Sequence, residues 1–277
     1  MTIESFDATL TRITRVSPST LEFRFVRNDE RAVEYEPGQF YRFTFDDAGE
    51  RFERSYSIAA FREAAGSSPN LDLLISYVEG GKASRLLFQA EPGVVCSVKG
   101  PFGRLLIPGK LPRRLIMVAT SVGIAPYLPM LGPLRPLLQE GLQVELVFGV
   151  RTREEFLYGE MLVEYAEAHP NFNLSVCYSR EEGVVFRDFE RAGYVQSMLR
   201  EMDLAAESDH VLLCGNPAMI DETFSMLKER GFGGRNVVRE KYVFAREAAP
   251  VPKQQLSDEQ KKLIEEKMKL LKVRKDT

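Results

Sequence analysis

The stretch RFERSYSIAAF, residues 51–61, presents an unusual mixture of side chains if it forms a β-strand. Alternate residues of a strand point to opposite faces, so Arg54, Tyr56 and Ile58 would share one face and Ser57 would lie on the other. A strand that only covers a core shows a more uniformly apolar face. A cation, an aromatic ring and a hydroxyl group can together hold a flat ligand with a phosphate tail. These residues are therefore candidates for such a site, the simpler alternative being an exposed arginine and a tyrosine at the edge of the core.

The first part of the chain, residues 1–110, is rich in short β-like runs. β-Branched and aromatic residues recur in six segments, and turn signals such as Glu36-Pro37-Gly38 separate them. Six strands at this spacing predict a small closed antiparallel barrel with Greek-key connections, interrupted by one short helix. The predicted strands are 6–16, 20–27, 39–45, 54–60, 71–78 and 94–99, and the predicted helix is 83–89.

A different rhythm follows from residue 111. Compact apolar runs alternate with helix-length segments, which predicts a Rossmann-like, doubly wound parallel α/β sheet. We therefore expect an N-terminal barrel domain at 1–110 and an α/β domain at 111–247. The predicted strands are 115–119, 144–149, 172–178, 210–214 and 236–242, and the predicted helices are 125–140, 154–168, 188–201 and 218–230.

The last segment, residues 248–277, differs from both domains in composition. It opens with the proline-containing stretch 248–252, which is typical of a stiff linker. The sequence SDEQ at 257–260 then forms a predicted capping box for a Lys- and Glu-rich helix that ends near residue 272. Apolar residues recur along it at helical spacing, so one face can dock on the chain itself, on a second copy or on a partner. The simplest alternative is a polar helix that stabilises the C-terminus.

Composition narrows the functional class. A formal net charge of -3 gives no support for nucleic acid or a membrane surface as a partner. The three cysteines lack the spacing of an iron–sulfur cluster, and the two histidines form no pattern of metal ligands. The N-terminus does not resemble a signal peptide, and no apolar run is long enough to cross a membrane. The sequence predicts a soluble, cytoplasmic protein without a metal site.

Further short motifs occur at strand ends. EGGKAS follows a predicted barrel strand and opens a helix, which suits an anion, although an ordinary turn has the same pattern. Two motifs follow apolar strands of the α/β domain, where a nucleotide would bind at the carboxyl ends of the strands. The motifs are RSYS at 54–57, EGGKAS at 79–84, GPFG at 100–103, TSVGIAP at 120–126, CGNPAM at 214–219 and REKYVF at 239–244.

In this order and spacing, the motifs resemble those of the ferredoxin–NADP reductase family, over about residues 5–244. The resemblance implies that the barrel binds FAD and that the α/β domain binds NADP. By this resemblance Tyr56 lies against the isoalloxazine ring, Ser57 lies near its reactive N5 atom and Arg54 contacts the pyrophosphate. FMN would use the same phosphate-binding turn, so the choice between FAD and FMN stays open. The residues of that turn are Gly80, Gly81, Lys82, Ala83 and Ser84.

The resemblance also implies that loop 120–126 receives the nicotinamide nucleotide. Gly123 would let the backbone approach the ligand, and Pro126 would start the helix without needing an N–H donor. Ser121 stands where the family usually has glycine, and it is tolerable only if its φ avoids positive values, which cost a side chain about 1 kcal/mol or more. The implied contacts of this nucleotide are Thr120, Ser121, Gly123, Gly215, Asn216 and Met219.

A 2′-phosphate distinguishes NADPH from NADH, and fixed guanidinium groups suit it. Arg151 and the pair Ser179-Arg180 follow successive α/β strands and match positions that family members use for this phosphate. Where relatives have a further arginine, this chain reads Gly193-Tyr194, and Arg187 or Arg191 can substitute from nearby. Surface loops carry arginines in any case, but the pattern favours NADPH.

The predicted catalytic set is Tyr56, Ser57, Cys214, Glu240 and Tyr242. The resemblance places Cys214 beside C4 of the nicotinamide, Glu240 at a position that often holds a carboxylate, and Tyr242 as the aromatic that covers the flavin and yields to the nicotinamide. Hydride transfer from C4 to N5 requires mainly positioning. The simpler alternatives are a buried small residue at 214 and a solvated carboxylate at 240.

The chain has no haem, cluster or flavodoxin-like segment, so the resemblance implies a reductase that passes single electrons to a separate ferredoxin or flavodoxin. Because such carriers are usually acidic, a basic surface near the flavin is expected. Two alternatives stay open: an NADH-dependent reductase component of an oxygenase system, and a flavin-binding sensor or assembly subunit with little NAD(P)H turnover. The candidate surface cations are Arg51, Arg54, Lys82, Arg85, Lys99 and Arg104.

Overall fold

The computed structural model describes residues 2–61, 66–181 and 184–242. The predicted linker and helix of residues 248–277 lie outside this part of the chain, and the domain boundaries at 110 and 247 stay predictions. Within the described residues, no helix is both long and apolar enough to cross a membrane.

Residues 4–102 form a six-stranded antiparallel sheet in the order β4-β3-β6-β1-β2-β5. Its inner face is apolar because alternate residues point inward, such as Phe23 and Phe25 in one strand and Phe43 and Phe45 in another. The strands are β1 Glu4–Arg15, β2 Thr20–Arg27, β3 Phe40–Asp47, β4 Glu50–Ser57, β5 Asn70–Ser76 and β6 Val95–Phe102, with helix α1 at Lys82–Phe88 after β5.

The predicted antiparallel fold class is confirmed, and the sheet curls into a half-barrel with β4 and β5 at its two edges. Strand β4 starts at Glu50, earlier than the predicted residue 54, because a tight turn joins it to β3. In this turn the Gly49 N–H donates to the Asp46 carboxylate over 2.8 Å. The seam between β4 and β5 is where the candidate site lies.

The second sheet is entirely parallel, in the order β10-β9-β8-β7-β11-β12. Its central strand is apolar throughout because both faces are covered: Leu115 and Met117 pack into one apolar cluster, and Ile116 and Val118 into another. The strands are β7 Arg114–Thr120, β8 Gln143–Val150, β9 Phe172–Tyr178, β10 Glu190–Ala192, β11 Asp209–Gly215 and β12 Val237–Lys241, and the helices are α2 Leu131–Gln139, α3 Gly159–Ala168, α4 Val195–Glu201 and α5 Pro217–Glu229.

This order reverses direction between β7 and β11. A chain that continues outward on one side of β7 and then returns to its other side leaves a crevice between the carboxyl ends of the two strands, where ligands of doubly wound sheets bind. The predicted parallel α/β architecture is therefore confirmed.

Three predicted helices differ from the structure. The predicted helix 188–201 is wrong in its first part, because Glu190–Ala192 adds the edge strand β10 beside β9 and α4 begins only at Val195. The predicted helix 125–140 is a 3₁₀ helix, Ser121–Met130, followed by α2. Pro126 and Pro129 lie inside the 3₁₀ helix, and each removes an N–H donor that a regular α-helix would use.

The predicted helix 154–168 also differs, because it is a short 3₁₀ segment, Arg153–Glu155, followed by α3. Between them Tyr158 has a φ of 54°, which breaks the helical path.

Polar and apolar contacts join the half-barrel to the second sheet. The hydroxyls of Ser17 and Ser19 donate to the Glu155 carboxylate over 2.7 and 2.9 Å. The Tyr158 hydroxyl donates to Glu22 of β2 over 2.5 Å. Leu74, together with Ala59 and Leu105, belongs to the apolar cluster that packs on the second sheet. These contacts fix the two walls of the candidate site.

Candidate functional site

A cleft of about 480 Å³ lies between the half-barrel and the second sheet. Its walls are β4, the end of β5, the turn before α1, the 3₁₀ helix Ser121–Met130 and β12. This volume is in the range of small-molecule and cofactor sites, which are concave and carry a few convergent polar groups. The cleft is therefore the candidate active site.

The residues of β4 that the sequence singled out line this cleft. Tyr56 is half-buried and packs edge-on against Phe43 with ring centroids 5.8 Å apart, so the core fixes one side of its ring. The Arg54 guanidinium donates to the Glu53 carbonyl oxygen over 2.6 Å and lies 5.1 Å from the Phe52 ring centroid. Ser57 is buried and takes part in a hydrogen-bonded cluster.

The glycine-rich turn before α1 forms the end of the cleft. Gly80 has a φ of 72°, a conformation that few other residues adopt readily. The Ser84 hydroxyl accepts the Val78 N–H over 2.8 Å, which ties the first turn of α1 to the end of the preceding strand segment. Ala83 is buried, and the Lys82 ammonium forms an ion pair with Glu50 of β4. The lysine charge thus has a partner in the protein, and the first-turn N–H groups are the donors that this turn offers to an anion.

Side chains from the two sheets meet in one cluster, Ser57, Cys214, Glu240 and Tyr242, three of which are joined by hydrogen bonds. The Tyr242 hydroxyl donates to Ser57 Oγ over 2.7 Å, and Ser57 Oγ donates to Glu240 Oε1 over 2.9 Å. The Cys214 thiol is buried at the end of β11, close enough to Tyr242 and Glu240 for both to influence its pKa. The Tyr242 N–H donates to the Gly215 carbonyl oxygen over 2.9 Å, so this residue is held through its backbone and its side chain. Four of the five predicted catalytic residues thus come together.

Burial sets the protonation of this cluster. It raises the pKa of the Glu240 carboxyl from its ordinary 4.5 to about 7, against the lowering effect of the hydrogen bond from Ser57. Burial also raises the pKa of the Cys214 thiol well above its ordinary value, and the nearby Glu240 charge raises it further. Cys214 is therefore a neutral thiol at pH 7, whereas Glu240 can gain or lose a proton near this pH.

The carboxyl ends of β7 and β11 meet at the reversal of strand order. The Thr120 hydroxyl oxygen accepts the Asn216 N–H over 3.0 Å, which joins the two strand ends. The Asn216 side chain accepts the N–H groups of Ala218 and Met219 and so caps α5, while the Met219 side chain is buried in the core. Gly215 ends β11 with a φ of 125°.

Two expectations about loop 120–126, those for Ser121 and Pro126, are corrected. Ser121 does adopt a positive φ, 50°, so its side chain carries the conformational strain of this region. Packing within the protein requires glycine at position 123, because a Cβ there would lie 2.5 Å from the Cys214 carbonyl oxygen. Pro126 does not start a helix but lies inside the 3₁₀ helix. The exposed Ser121 also faces the half-barrel, with its Oγ 3.4 Å from Ser76 Oγ.

The ends of β8, β9 and β10 form an outer edge that carries Arg151, Arg180 and Tyr194, all three exposed. The Arg180 N–H donates to the Arg151 carbonyl oxygen over 2.9 Å, so these two residues lie side by side. The Ser179 N–H donates to the Val150 carbonyl oxygen over 3.0 Å in the same ladder. In the described part of the chain, neither arginine side chain has an ion-pair partner. Tyr194 was not among the predicted site residues, although it stands in the Gly193-Tyr194 pair where relatives have a further arginine.

The other two arginine candidates are engaged within the protein. The Arg187 guanidinium lies 3.4 Å from the Glu190 carboxylate and 4.9 Å from the Phe189 ring centroid. Arg191 forms an ion pair with Glu201 over 2.9 Å. Glu190 is a buried carboxylate that sequence analysis missed, because it assigned residue 190 to a helix.

Three of the six cations expected to form a basic surface near the cleft have carboxylate partners. Arg85 pairs with Asp47 over 3.1 Å, and Arg51 lies 3.7 Å from Asp46. Lys82 pairs with Glu50, as described above. Among the expected cations, Lys99 and Arg104 are exposed and have no ion-pair partner among the residues that the structure describes.

Comparisons with known proteins agree with this architecture. The Oxidoreductase FAD-binding domain matches residues 7–107, and the Oxidoreductase NAD-binding domain matches residues 117–224. The chain is 32% identical over 244 residues to Ferredoxin--NADP reductase B of Sorangium cellulosum, which covers 85% of this chain and 95% of that protein. It is 22% identical over 240 residues to the toluate 1,2-dioxygenase electron transfer component of Pseudomonas putida, with 86% and 67% covered.

Solved structures share the fold. A ferredoxin NADP+ reductase from Neisseria gonorrhoeae with bound FAD and NADP has a TM-score of 0.72 and 21% identity, over 86% of this chain and 98% of that chain. The Amycolatopsis cytochrome P450 reductase GcoB has a TM-score of 0.74 and 23% identity, over 86% and 70%. The chain therefore belongs to the ferredoxin–NADP reductase family of FAD- and NAD-binding oxidoreductases.

Proposed function

We propose that this protein is an NADPH-dependent reductase that transfers hydride between NADPH and FAD and single electrons between FAD and a separate ferredoxin or flavodoxin. The observation that carries the proposal is the meeting of Tyr56 and Ser57 from the half-barrel with Cys214, Glu240 and Tyr242 from the second sheet. A flavin held by the first group and a nicotinamide held by the second would lie in one cleft, at the strand-end crevice.

The cleft fits a flavin in size and in chemistry. Its volume of about 480 Å³ and the half-buried ring of Tyr56 suit a flat aromatic group. Arg54 and the N–H groups of the first turn of α1 suit the phosphates of the same ligand. FAD, when bound, supplies the exchange between two-electron and one-electron chemistry.

The protein groups of the cleft position the reactants and hold a proton. The neutral Cys214 thiol is a compact, weakly polar group that is fully buried near Tyr242. Glu240 Oε1 can store a proton near pH 7, and Ser57 Oγ links it to the Tyr242 hydroxyl. The Tyr242 side chain lines the cleft, so a nicotinamide that stacked against the flavin at this position would have to displace it.

The outer edge supports NADPH as the preferred nucleotide. Arg151 and Arg180 are exposed neighbours at the ends of β8 and β9, where the adenosine end of a nucleotide would lie if its nicotinamide occupied the cleft. Guanidinium groups bind phosphate through paired N–H donors. The 2′-phosphate of NADPH would therefore have partners that NADH cannot use.

The proposed acceptor is a separate protein, as the name of the Sorangium relative suggests for that relative. Ion pairing of Arg51, Lys82 and Arg85 with nearby carboxylates leaves little net positive charge beside the cleft. We therefore expect docking of an acidic carrier to depend only moderately on salt, with Lys99 and Arg104 as the main cationic contacts.

A second candidate, the NADH-dependent reductase component of an oxygenase, rests on the similarity to dioxygenase and monooxygenase components. The structure offers a discriminating feature in the two arginines of the outer edge. If they do not bind a 2′-phosphate, this second function gains support.

Anaerobic titration of the purified protein with NADPH and then NADH, followed by its visible spectrum, tests the proposal. We expect a yellow protein that NADPH bleaches stoichiometrically and NADH bleaches poorly. The double variant Arg151→Gln/Arg180→Gln should lose most of this preference, by roughly tenfold or more, because it loses two charge-assisted contacts. Preferential bleaching by NADH would favour the oxygenase component, and a yellow protein that neither nucleotide bleaches would favour a sensor or assembly subunit. A colourless protein that takes up no FAD would contradict the proposal.

A further inference from the structure

The buried carboxylate of Glu190 is the centre of a charged cluster behind the outer edge, and its side chain is 0% exposed. Arg153 Nη2 donates to this carboxylate over 2.7 Å, and the Tyr178 hydroxyl donates to it over 3.0 Å. The Arg187 N–H donates over 3.0 Å, and the Arg187 guanidinium lies 3.4 Å away. A buried carboxylate is stable only with such partners, so this arrangement is fixed rather than one of many surface pairings. We call Glu190, Arg153, Tyr178 and Arg187 the Glu190 cluster.

Arg153 extends this cluster to the neighbouring loops. Its Nη2 also donates to the Val185 carbonyl oxygen over 2.6 Å, and its backbone N–H donates to the Glu181 carboxylate over 2.6 Å. Its guanidinium lies 6.0 and 5.9 Å from the ring centroids of Tyr178 and Phe186. Through its backbone and its side chain, Arg153 thus joins the end of β8, the end of β9 and the segment before β10.

Arg151 and Arg180 emerge from the backbone that the Glu190 cluster holds. Arg151 lies two residues before Arg153, and Arg180 lies next to Glu181, which binds the Arg153 N–H. The direct hydrogen bond between the backbones of Arg151 and Arg180 completes the frame. Arg151 and Arg180 are exposed themselves, so the rigidity of their attachment comes from the buried Glu190 and its hydrogen-bond partners behind them.

We propose that Glu190 and Arg153 are positioning residues that set nucleotide specificity by holding Arg151 and Arg180 at the spacing that a phosphate monoester, the 2′-phosphate of the nucleotide, requires. This inference rests on the proposed function. Long arginine side chains lose rotamer freedom when they bind a ligand, and a preorganised backbone reduces this cost. Loosening the frame therefore weakens recognition of the phosphate without touching the cleft, where hydride transfer takes place.

The variant Glu190→Gln tests the inference, because it keeps the size of the side chain and removes its charge. We expect the ratio of kcat/KM for NADPH to that for NADH to fall by roughly tenfold, through a higher KM for NADPH, with kcat for NADPH and kcat/KM for NADH unchanged. A matched control is Arg200→Gln, which removes an exposed ion pair with Glu222 on α4 and α5 of the same sheet. The control should leave the ratio unchanged.

A binding measurement separates this inference from the proposed function. Calorimetric titration of the flavin-loaded protein with adenosine 2′,5′-bisphosphate and with AMP reports recognition of the 2′-phosphate without any redox step. If the wild-type protein binds both probes equally, the proposed NADPH specificity fails. If the wild type prefers the bisphosphate and Glu190→Gln keeps the full preference, the positioning role is overturned.

Arg153→Lys is a second variant that tests the inference by the same binding measurement if Glu190→Gln does not fold. This variant keeps the positive charge beside Glu190 and loses the guanidinium group, whose Nη2 donates to both Glu190 and the Val185 carbonyl oxygen. Thermal unfolding and flavin content should match those of the wild type, while the preference for the bisphosphate falls. An unchanged preference in a folded Arg153→Lys protein would contradict the inference, and a purely structural role would lower thermal stability with no change in preference.

Discussion

Most side chains in the cleft between the two sheets are buried or half-buried and several are hydrogen-bonded to one another, whereas Arg151 and Arg180 at the outer edge of the second sheet are exposed. Ser57, Glu240 and Tyr242 form a continuous hydrogen-bonded chain in the cleft. Arg151 and Arg180 at the outer edge share only a backbone contact.

The difference matches two kinds of ligand. A cofactor that stays bound is well served by a cleft whose walls are fixed by packing, because little has to be ordered on binding. A nucleotide that enters and leaves on each cycle is better served by exposed groups that attach and release easily. Exposed side chains can nevertheless be attached to a well-fixed backbone, because the hydrogen bonds of the buried Glu190 hold the backbone behind Arg151 and Arg180.

The largest expected effect concerns the rigid wall of the cleft. Gly123→Ala should destabilise the protein by about 3 kcal/mol, because the new methyl group would lie 2.5 Å from the Cys214 carbonyl oxygen and 2.8 Å from Gly215 Cα. Urea denaturation measures this loss. Gly132→Ala is the matched control, since its methyl group would meet no atom within 4 Å and the residue lies in α2. The control should be unchanged or more stable by up to about 1 kcal/mol. Equal stability of the two variants would mean that the cleft wall yields easily. It would contradict the view that the cleft is rigidly packed.

The next effect tests the buried character of the cleft through pH. Below about pH 4.5 Glu240 is protonated in both the folded and the unfolded chain, and between about 4.5 and 7 only the folded chain keeps the proton. The free energy of unfolding should therefore fall as pH rises through this window, by at most about 1.4 kcal/mol per pH unit from this group. Glu240→Gln should remove this part of the slope in urea denaturation of the flavin-free protein at pH 5 to 8. Identical slopes for the variant and the wild type would show that Glu240 is effectively solvated, like the groups of the outer edge.

The smallest expected effect concerns the exposed rim of the cleft. Ser121→Gly should stabilise the protein by about 0.5 kcal/mol, because relief of the positive φ slightly exceeds the entropic cost of glycine. Ala48→Gly, at a φ of 53° in the turn between β3 and β4, should give a similar gain in thermal unfolding. A change in nucleotide-dependent flavin reduction is expected only for Ser121→Gly. If flavin reduction changed equally in Ser121→Gly and Ala48→Gly, the result would contradict the assignment of loop 120–126 to the nucleotide site.

Sequence periodicity predicted the strands better than the helices. Strand 172–178 is confirmed at both ends as Phe172–Tyr178, since a short apolar run bounded by polar residues leaves few alternatives. The edge strand Glu190–Ala192 was missed because three mostly polar residues carry no apolar pattern. The 3₁₀ helix Ser121–Met130 was missed as such because proline spacing, rather than hydrophobicity, decides between 3₁₀ and α geometry there.

The site was predictable only where residues act locally or resemble known motifs. Tyr56 and Ser57 were found from one strand, but the hydrogen bond of Ser57 with Glu240 spans 183 residues and no local pattern contains it. Glu190 carried no signal, because a polar residue in a polar segment is usually exposed. Its burial depends on Arg153 and Tyr178, which the tertiary structure alone brings to it.

The shared core between the half-barrel and the second sheet limits how this protein can be recombined with its relatives. Leu74, Ala59 and Leu105 pack with residues of the second sheet, and the turn after β1 supplies the two hydroxyls that satisfy Glu155. Consider a chimaera that joins this half-barrel to the nucleotide-binding half of a relative at residue 110. If that half lacks a carboxylate equivalent to Glu155, the Ser17 and Ser19 hydroxyls lose their acceptor, and part of the apolar surface stays uncovered. Exchange of the two halves is therefore expected to succeed only when the turn at Ser17–Ser19 and its acceptor are transferred together.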